Sequence, residues 1–219
     1  MKKLHFDGLN DSYIPHILQE IYIDRVYQPF LDGKKDLTIM DIGAHIGLFT
    51  YYARHFAKKI YAIEPTPEHM RNLKCNIRVN KFCEMVEPIQ AAIGKKDGLE
   101  KFYFNSNPTM NSLREEIKQP DAKSSEVKVY TMESLFKKYN IDYVDFIKLD
   151  IEGSEVDVIC SDGFSKVADK IHTLVGEYHT WTGTNPDQIL NALRDYGFKA
   201  RWLNVTQATI FYGTKDDNR

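Results

Sequence analysis

The sequence predicts a single doubly wound α/β domain with a mostly parallel β-sheet. Short apolar runs, typical of buried strands, alternate along the chain with longer segments of helical periodicity. Two of these runs end in turns rich in glycine and acidic residues, where ligands bind in sheets of this class. The 219 residues suffice for one sizeable core and contain no linker or internal repeat.

Elements of the first half follow from this alternation. Apolar residues at 14, 17, 18, 21 and 22 share one face of a predicted amphipathic helix. We therefore assign 1–35 to an N-terminal helical extension that covers the core, and 36–219 to the catalytic core of a single domain, 1–219. The predicted elements that follow are a strand at 37–40, a helix at 47–56, a strand at 60–64, a helix at 66–80 and a strand at 85–93.

The second half begins with strand-like segments at 101–106 and 126–132 around a polar, proline-containing stretch. Because 105–125 is too long for an ordinary connection, we predict a mobile lid there. The alternation then resumes with a helix at 134–140, a strand at 144–150, a helix at 153–164, a strand at 171–179 and a helix at 185–198. The last strands, 199–205 and 207–214, lie close enough in sequence to pair as an antiparallel hairpin.

Composition narrows the classes of partner. A formal net charge of -2 without a basic block gives no indication of a nucleic-acid partner. No apolar run reaches the roughly 20 residues of a membrane span, so no membrane partner is predicted. Cys75, Cys83 and Cys160 lack metal-site spacing, and no secretory signal precedes them. These features favour reduced thiols and a cytoplasmic location; the oligomeric state is left open.

A glycine turn connects the first strand with the first core helix. Gly43 and Gly47 allow the backbone to turn and approach neighbours where a Cβ would clash. The N–H groups of this turn are expected to meet a ligand carboxylate or phosphate. A glycine-rich turn of this kind also occurs for purely structural reasons.

An acid at the end of the second strand narrows the class of ligand that the site is predicted to bind. Glu64 follows the turn by about 20 residues, where an acid accepts hydrogen bonds from ribose hydroxyls. The middle glycine of a dinucleotide site is missing, and Asp41 would repel a pyrophosphate but suits the cationic amino-acid end of S-adenosylmethionine (SAM). SAM is therefore favoured over NAD. The predicted cofactor site comprises Asp41, Gly43, Ala44, His45, Gly47, Glu64, Thr66, Ala91, Ala92 and Asp150.

Four segments together resemble the FkbM family of SAM-dependent methyltransferases. They are DIGAHIGLFT, AIEPTPEHMRNLKCNIRVN, IKLDIEGSE and GEYH, in the order and spacing of the family over roughly 38–180. The resemblance implies a class I methyltransferase, or Rossmann-like, fold with an antiparallel C-terminal strand. It also implies O-methylation of hydroxyl groups, often on sugars or polyketide-like metabolites. The family commonly has asparagine where this chain has His45.

Acids and a histidine at two further strand ends supply the predicted chemistry. We expect Asp150 to lie beside the sulfonium and the acceptor hydroxyl, and His179 to act as the base, because imidazole titrates near working pH. Glu152 and Glu155 also suit a structural role, since acids stabilise a helix N-terminus. Glu177 shares the strand face of His179. Asp150, Glu152, Glu177 and His179 could instead hold a divalent ion, but nothing in their spacing requires it, and no metal is predicted.

The sequence thus predicts a SAM-dependent O-methyltransferase acting on a hydroxylated small molecule, glycans included. Three alternatives stay open, namely N-methylation, a non-catalytic SAM- or nucleotide-binding module, and an NAD-linked oxidoreductase. Asp150 and His179 together argue against mere binding, which needs neither. The missing glycine argues against the oxidoreductase.

Overall fold

The computed structural model describes residues 6–8, 14–105, 111–115, 118–203 and 209–216. Its strands are β1 (Leu37–Ile42), β2 (Ala57–Ile63), β3 (Val86–Ile89), β4 (Ala92–Ile93), β5 (Gly98–Phe104), β6 (Lys123–Tyr130), β7 (Val144–Leu149), β8 (Ile171–Glu177), β9 (Lys199–Leu203) and β10 (Ile210–Thr214). Its α-helices are α1 (Ile14–Leu18), α2 (Gln28–Leu31), α3 (Leu48–Ala53), α4 (Pro67–Val79), α5 (Met132–Lys138), α6 (Glu155–Ile159), α7 (Asp162–Ser165) and α8 (Asp187–Asp195).

A seven-stranded sheet forms the centre of the molecule, in the order β3-β2-β1-β7-β8-β10-β9. β1 pairs in parallel with both β2 and β7, and β7 pairs in parallel with β8. β10 runs antiparallel to both of its neighbours. The predicted doubly wound class I methyltransferase-like sheet with its antiparallel C-terminal strand is thereby confirmed, as is the pairing of the last two strands.

Apolar layers cover both faces of the central sheet. Successive strand residues alternate between them: Ile39 and Phe146 pack on one face, and Met40 and Ile147 pack on the other. All four side chains are at most 1% exposed. Burial on both faces explains why the strands read as continuous apolar runs. Among the described residues, no helix combines the length and apolarity needed to cross a bilayer.

A small second sheet, β4-β6-β5, departs from the sequence prediction. The strand predicted over 85–93 is two strands, because β3 joins the central sheet and β4 joins the small one. Pro88 lies in β3, which is an edge strand of the central sheet. An edge strand tolerates the missing backbone donor of proline.

Two helix predictions also need correction. The helix predicted over 153–164 is divided into α6 and α7, since the Ser161 side chain accepts a hydrogen bond from the Phe164 N–H and begins a new helix. The N-terminal helix continues from α1 as a π-helical turn, Gln19–Ile23. Residues 9–13, which precede this helix, lie outside the described residues, as do 106–110 and 116–117 of the predicted lid.

Candidate active site

A cavity of about 350 Å³ opens at the carboxyl ends of the parallel strands. Its walls come from the residues that follow β1, β2, β7 and β8, together with the N-terminal extension. Ligand pockets in proteins commonly measure about 300–1,000 Å³. The position is the one that the doubly wound fold predicts for a ligand.

Gly43 allows the end of β1 to lie directly against the end of β7. Its φ is +81°, and a Cβ at this position would stand 1.8 Å from the carbonyl oxygen of Asp150. Gly47 has a φ of +90° and is crowded by a methyl group of Leu73. Both positions therefore require glycine for close backbone approach as well as for conformation.

Three N–H groups of the glycine turn donate hydrogen bonds within the protein. Those of Gly43 and Ala44 donate to the carbonyl of Ile63, at 3.0 and 2.9 Å. The N–H of Gly47 donates to the carbonyl of Ala44 at 2.8 Å. Internal hydrogen bonds hold the turn against β2, so the turn acts as a rigid wall of the cavity.

Glu64 is the buried acid that borders this wall. Its carboxylate accepts hydrogen bonds from the backbone N–H groups of His45 and Thr66, at 2.9 and 2.8 Å, and lies 3.5 Å from Nδ1 of His69. Burial alone would raise its pKa, but the hydrogen bond and charge of His69, with the nearby His45, lower the pKa to about 2. Glu64 is therefore ionised and lines the cavity as a fixed acceptor.

Asp41 lies behind the cavity rather than in it. Its side chain is fully buried, and Oδ2 accepts a hydrogen bond from Thr50 at 2.6 Å. Lys148 Nζ lies 3.8 Å from the other oxygen, 2.8 Å from the Gly43 carbonyl and 3.2 Å from Asp150. Direct contact between Asp41 and the cofactor, as predicted, does not fit this position. Asp41 instead holds Lys148, which anchors Asp150.

The buried Lys148 and the partly exposed Asp150 form an ion pair in the cavity wall. Burial opposes the charge on Lys148, but Asp150 and Asp41 outweigh it and raise the pKa of the ammonium above its usual value. Burial likewise opposes ionisation of Asp150, whereas the charge of Lys148 lowers the pKa of that carboxyl. Both groups are therefore charged at neutral pH.

Most of the predicted cofactor residues line the cavity, namely Gly43, His45, Glu64, Thr66, Ala91, Ala92 and Asp150. Asp41, Ala44 and Gly47 do not line it and shape it from behind. The structure also brings Glu152, Glu177 and His179 to the same cavity. Both sets of strand-end residues predicted from the sequence thus meet in one place.

His179 sits among three carboxylates. Nδ1 lies 3.0 Å from Glu155, while Nε2 lies 3.2 Å from Glu152 and 3.9 Å from Asp150. Burial lowers the pKa of the imidazole, but hydrogen bonds to Glu152 and Glu155 outweigh burial and raise that pKa to about 12. A histidine that retains its proton so firmly does not suit the general-base role predicted for it.

Glu152 and Glu177 have the opposite character. Burial raises the pKa of Glu177 to about 8, reinforced by the charge of Asp150. Burial also raises the pKa of Glu152 to about 7, although His179 partly offsets that effect. Carboxylates with pKa values near neutrality suit proton transfer at working pH.

The N-terminal extension contributes residues that the sequence did not assign to the site. Glu20 and Asp24 line the cavity, and the hydroxyl of Tyr27 donates a hydrogen bond to Glu20. Burial raises the pKa of Glu20. The sequence feature that could have indicated this role is Glu20 itself, an acid beside the apolar face of the helix and three residues after Ile17. The sequence predicts this helix only as a cover for the core.

The described part of the predicted lid already contacts the site. Asn111 Nδ2 donates to the Thr66 hydroxyl at 3.4 Å, and the Ser112 hydroxyl donates to the Glu152 carbonyl at 2.7 Å. Nε of Arg114 donates to the carbonyl of Gly153 at 2.5 Å. These contacts connect 111–115 with both the cofactor side and the acidic side of the cavity.

The sequence profile of the Methyltransferase FkbM domain matches residues 41–200. The chain belongs to the FkbM methyltransferase family. Methyltransferase sdnD of Sordaria araneosa is 27% identical over 91% of this FkbM chain and 90% of its own length. The AMB antimetabolite synthetase AmbE of Pseudomonas aeruginosa is 22% identical over 94% of the chain, which spans only 11% of AmbE.

Solved structures share the fold of this FkbM methyltransferase. The methyltransferase FkbM of Methylobacillus flagellatus KT aligns with a TM-score of 0.55 and 16% identity, over 81% of this chain and 43% of its own. A Streptococcus mutans protein solved with S-adenosylhomocysteine (SAH) aligns with a TM-score of 0.55 and 11% identity, over 88% of this chain and 97% of its own.

Residues 41–200 therefore form a SAM-dependent methyltransferase domain. The NAD-linked and non-catalytic alternatives are therefore set aside. Its cavity fits the cofactor chemically, because the ionised Glu64 is a fixed acceptor at the position where this fold binds a ribose.

Proposed function

We propose that the chain transfers a methyl group from SAM to a hydroxyl oxygen of a small metabolite, sugar hydroxyls included. The observation that carries this proposal is the pair of carboxylates, Glu152 and Glu177, with pKa values near neutrality in the cavity wall. A hydroxyl must lose its proton as it attacks, whereas a neutral amine attacks without help. Proton-accepting groups at this place therefore favour oxygen over nitrogen as the methyl acceptor.

The cofactor end of the cavity lies at Glu64. This carboxylate would accept hydrogen bonds from the ribose hydroxyls, while Thr66, Ala91 and Ala92 line the neighbouring wall. Gly43 and His45 border the side that faces Asp150. When bound, SAM supplies an electrophilic methyl group whose transfer leaves a neutral thioether.

The acceptor end lies at Asp150, Glu152, Glu177 and His179. In the proposed reaction Glu177 takes the proton of the acceptor hydroxyl as the oxygen attacks. Asp150, fixed by Lys148, orients the acceptor, in keeping with its predicted role. His179 contacts Glu152 and positions its carboxylate. The base assigned to His179 from sequence therefore becomes Glu177 in this proposal.

Residues of the N-terminal extension complete the acceptor end. Glu20 and Asp24 face the cavity and provide acceptors for hydroxyl groups of the substrate. A small acceptor with several hydrogen-bond donors fits this lining. Mass spectrometry across matched panels of hydroxylated and aminated metabolites tests the proposal. A methyl-sized gain on oxygen supports it, and transfer confined to amines overturns it.

Replacing Glu64 with glutamine is expected to weaken SAM binding by about 1.5–3 kcal/mol, the usual strength of hydrogen bonds to a charged group. Glutamine keeps the size of the side chain and one acceptor oxygen for the backbone. Glu68→Gln is the matched control, because Glu68 is exposed on α4. Calorimetry on both variants makes the comparison, and unchanged affinity in a folded Glu64→Gln protein would contradict the assignment.

Residues 111–115 are expected to become more ordered when cofactor binds, as the predicted lid requires. Asn111 hydrogen bonds to Thr66, a lining residue of the cofactor end, so a ligand that fixes Thr66 should also steady this segment. Hydrogen exchange measured with and without SAH should slow there. Full protection in the free protein would show that no lid motion accompanies binding.

A further inference from the structure

We propose that Asp150, Glu152 and His179 bind a divalent cation of the Mg²⁺ or Mn²⁺ class at the acceptor end of the cavity. One ligand atom from each side chain lies within 4.8 Å of the others. Nε2 of His179 is 3.2 Å from Glu152 Oε2 and 3.9 Å from Asp150 Oδ1. An octahedral ion with bonds of about 2.1 Å places neighbouring ligands roughly 3.0 Å apart and opposite ones roughly 4.2 Å apart. The observed spacings agree with that geometry.

Asp150 presents one oxygen for such an ion. Its Oδ2 is engaged by the ammonium group of Lys148 at 3.2 Å. Its Oδ1 is buried and has no hydrogen-bond partner among the residues that the structure describes. A buried carboxylate oxygen without a donor is costly, and a coordinated cation would satisfy it.

The imidazole of His179 is oriented as a ligand would be. Its side chain is 10% exposed, and Nε2 points between Asp150 and Glu152. Nδ1 is held by Glu155, which is 1% exposed and also accepts hydrogen bonds from the N–H groups of Ile151 and Gly153. A carboxylate on the far nitrogen is the usual arrangement behind a metal-bound histidine, because it fixes the tautomer and the ring orientation.

The charges around this position also favour a cation. Four acidic side chains, Asp150, Glu152, Glu155 and Glu177, lie around this position, and Lys148 pairs with Asp150. A divalent ion bound to Nε2 of a neutral His179 adds positive charge among these acids. The oxygen-rich ligand set, without cysteine, suits Mg²⁺ or Mn²⁺ better than a soft metal.

The role of the ion would be to hold the acceptor oxygen beside Glu177 and to make its proton easier to remove. This catalytic role requires the proposed O-methylation to be correct. Cation binding itself does not depend on it. The experiment therefore measures binding directly, without methyl transfer.

Titration with Mn²⁺, followed by electron paramagnetic resonance and calorimetry, tests the site. The wild type should show one saturable site, and Glu152→Gln, which removes a ligand, should weaken Mn²⁺ at least 10-fold. Glu155→Gln, which alters the support of His179, should weaken it about 10–100-fold. Glu133→Gln is the control, since Glu133 is an exposed residue of α5 paired with Lys166.

The possible results of this titration distinguish the cation site from the proposed function. Saturable binding lost in Glu152→Gln and kept in Glu133→Gln supports the site. Absence of saturable binding to the wild type, or equal affinity in wild type and Glu152→Gln, overturns it. A protein that binds Mn²⁺ as predicted but methylates only amines would refute the proposed function and leave the cation site standing.

Discussion

Replacing Glu177 with glutamine is expected to reduce turnover by roughly 10²–10⁴-fold, the usual contribution of a general base. Glu177 ends β8 in the cavity wall, and burial raises its pKa to about 8. Glutamine has almost the same shape but cannot accept the proton of a hydroxyl. SAM affinity, measured by calorimetry, should stay close to that of the wild type, because Glu177 lies at the acceptor end.

The pH profile gives an independent check on Glu177. A carboxylate acts as a base only when ionised, so the wild-type rate should rise with pH through about 8 and then level off. The variant should lose this rise. Glu126→Gln is the control, because Glu126 is an exposed residue of β6 away from the cavity. Near-normal turnover and an unchanged profile in Glu177→Gln would mean that another group takes the proton.

Replacing Lys148 with methionine is expected to lower the free energy of unfolding by about 3–5 kcal/mol, the typical cost of breaking a buried ion pair from one side. The Lys148 side chain is only 9% exposed and lies between Asp41 and Asp150. Methionine fills similar space but leaves both carboxylates without their cation. Urea unfolding followed by circular dichroism measures the loss.

The loss should depend on pH in a defined direction. In the wild type the charge of Lys148 lowers the pKa of Asp150, so ionised Asp150 stabilises the fold above its unfolded pKa. Burial already raises the pKa of Asp41 in the wild type; without Lys148 it should raise that pKa further and should raise the pKa of Asp150 above its unfolded value. The stability of the variant should then fall as pH rises from the unfolded pKa of about 4 through those raised values.

A surface pair provides the control for Lys148. Lys166 lies 2.8 Å from Glu133, with both side chains about half exposed. Lys166→Met should therefore cost only about 0–1 kcal/mol. An equal decrease in the free energy of unfolding of the two variants would show that burial does not increase the contribution of Lys148 to stability.

Local patterns sufficed to predict the central sheet and the strand-end residues. Apolar runs, glycine turns and terminal acids are properties of short segments, and parallel strands bring their carboxyl ends to one edge. This is why Glu64, Asp150 and His179 were found. The division of 85–93 between two sheets was not predicted. It depends on which strands pair with each half of the segment, and the residues of the segment do not indicate those strands.

The protonation of His179 and the position of Asp41 needed the tertiary structure. Burial lowers the pKa of His179, but hydrogen bonds to Glu152 and Glu155 raise it, and both acids follow β7 whereas the histidine follows β8. Asp41 looked accessible because it precedes a glycine turn, yet Thr50 and Lys148 enclose it. Both properties depend on charged groups from different elements that lie close together in the fold. The sequence alone does not give the distances between those groups.

The helical extension at the mouth of the cavity has a consequence for changing what this enzyme methylates. Glu20 and Asp24 line the cavity and belong to the acceptor end in the proposed function, yet both precede residue 41, where the family match begins. In the proposed function the extension adds residues to the acceptor end, so part of the acceptor site lies outside the stretch that carries the cofactor residues. Exchanging the stretch 14–31 between relatives should therefore change which acceptors are methylated. The cofactor residues would stay unchanged in such an exchange.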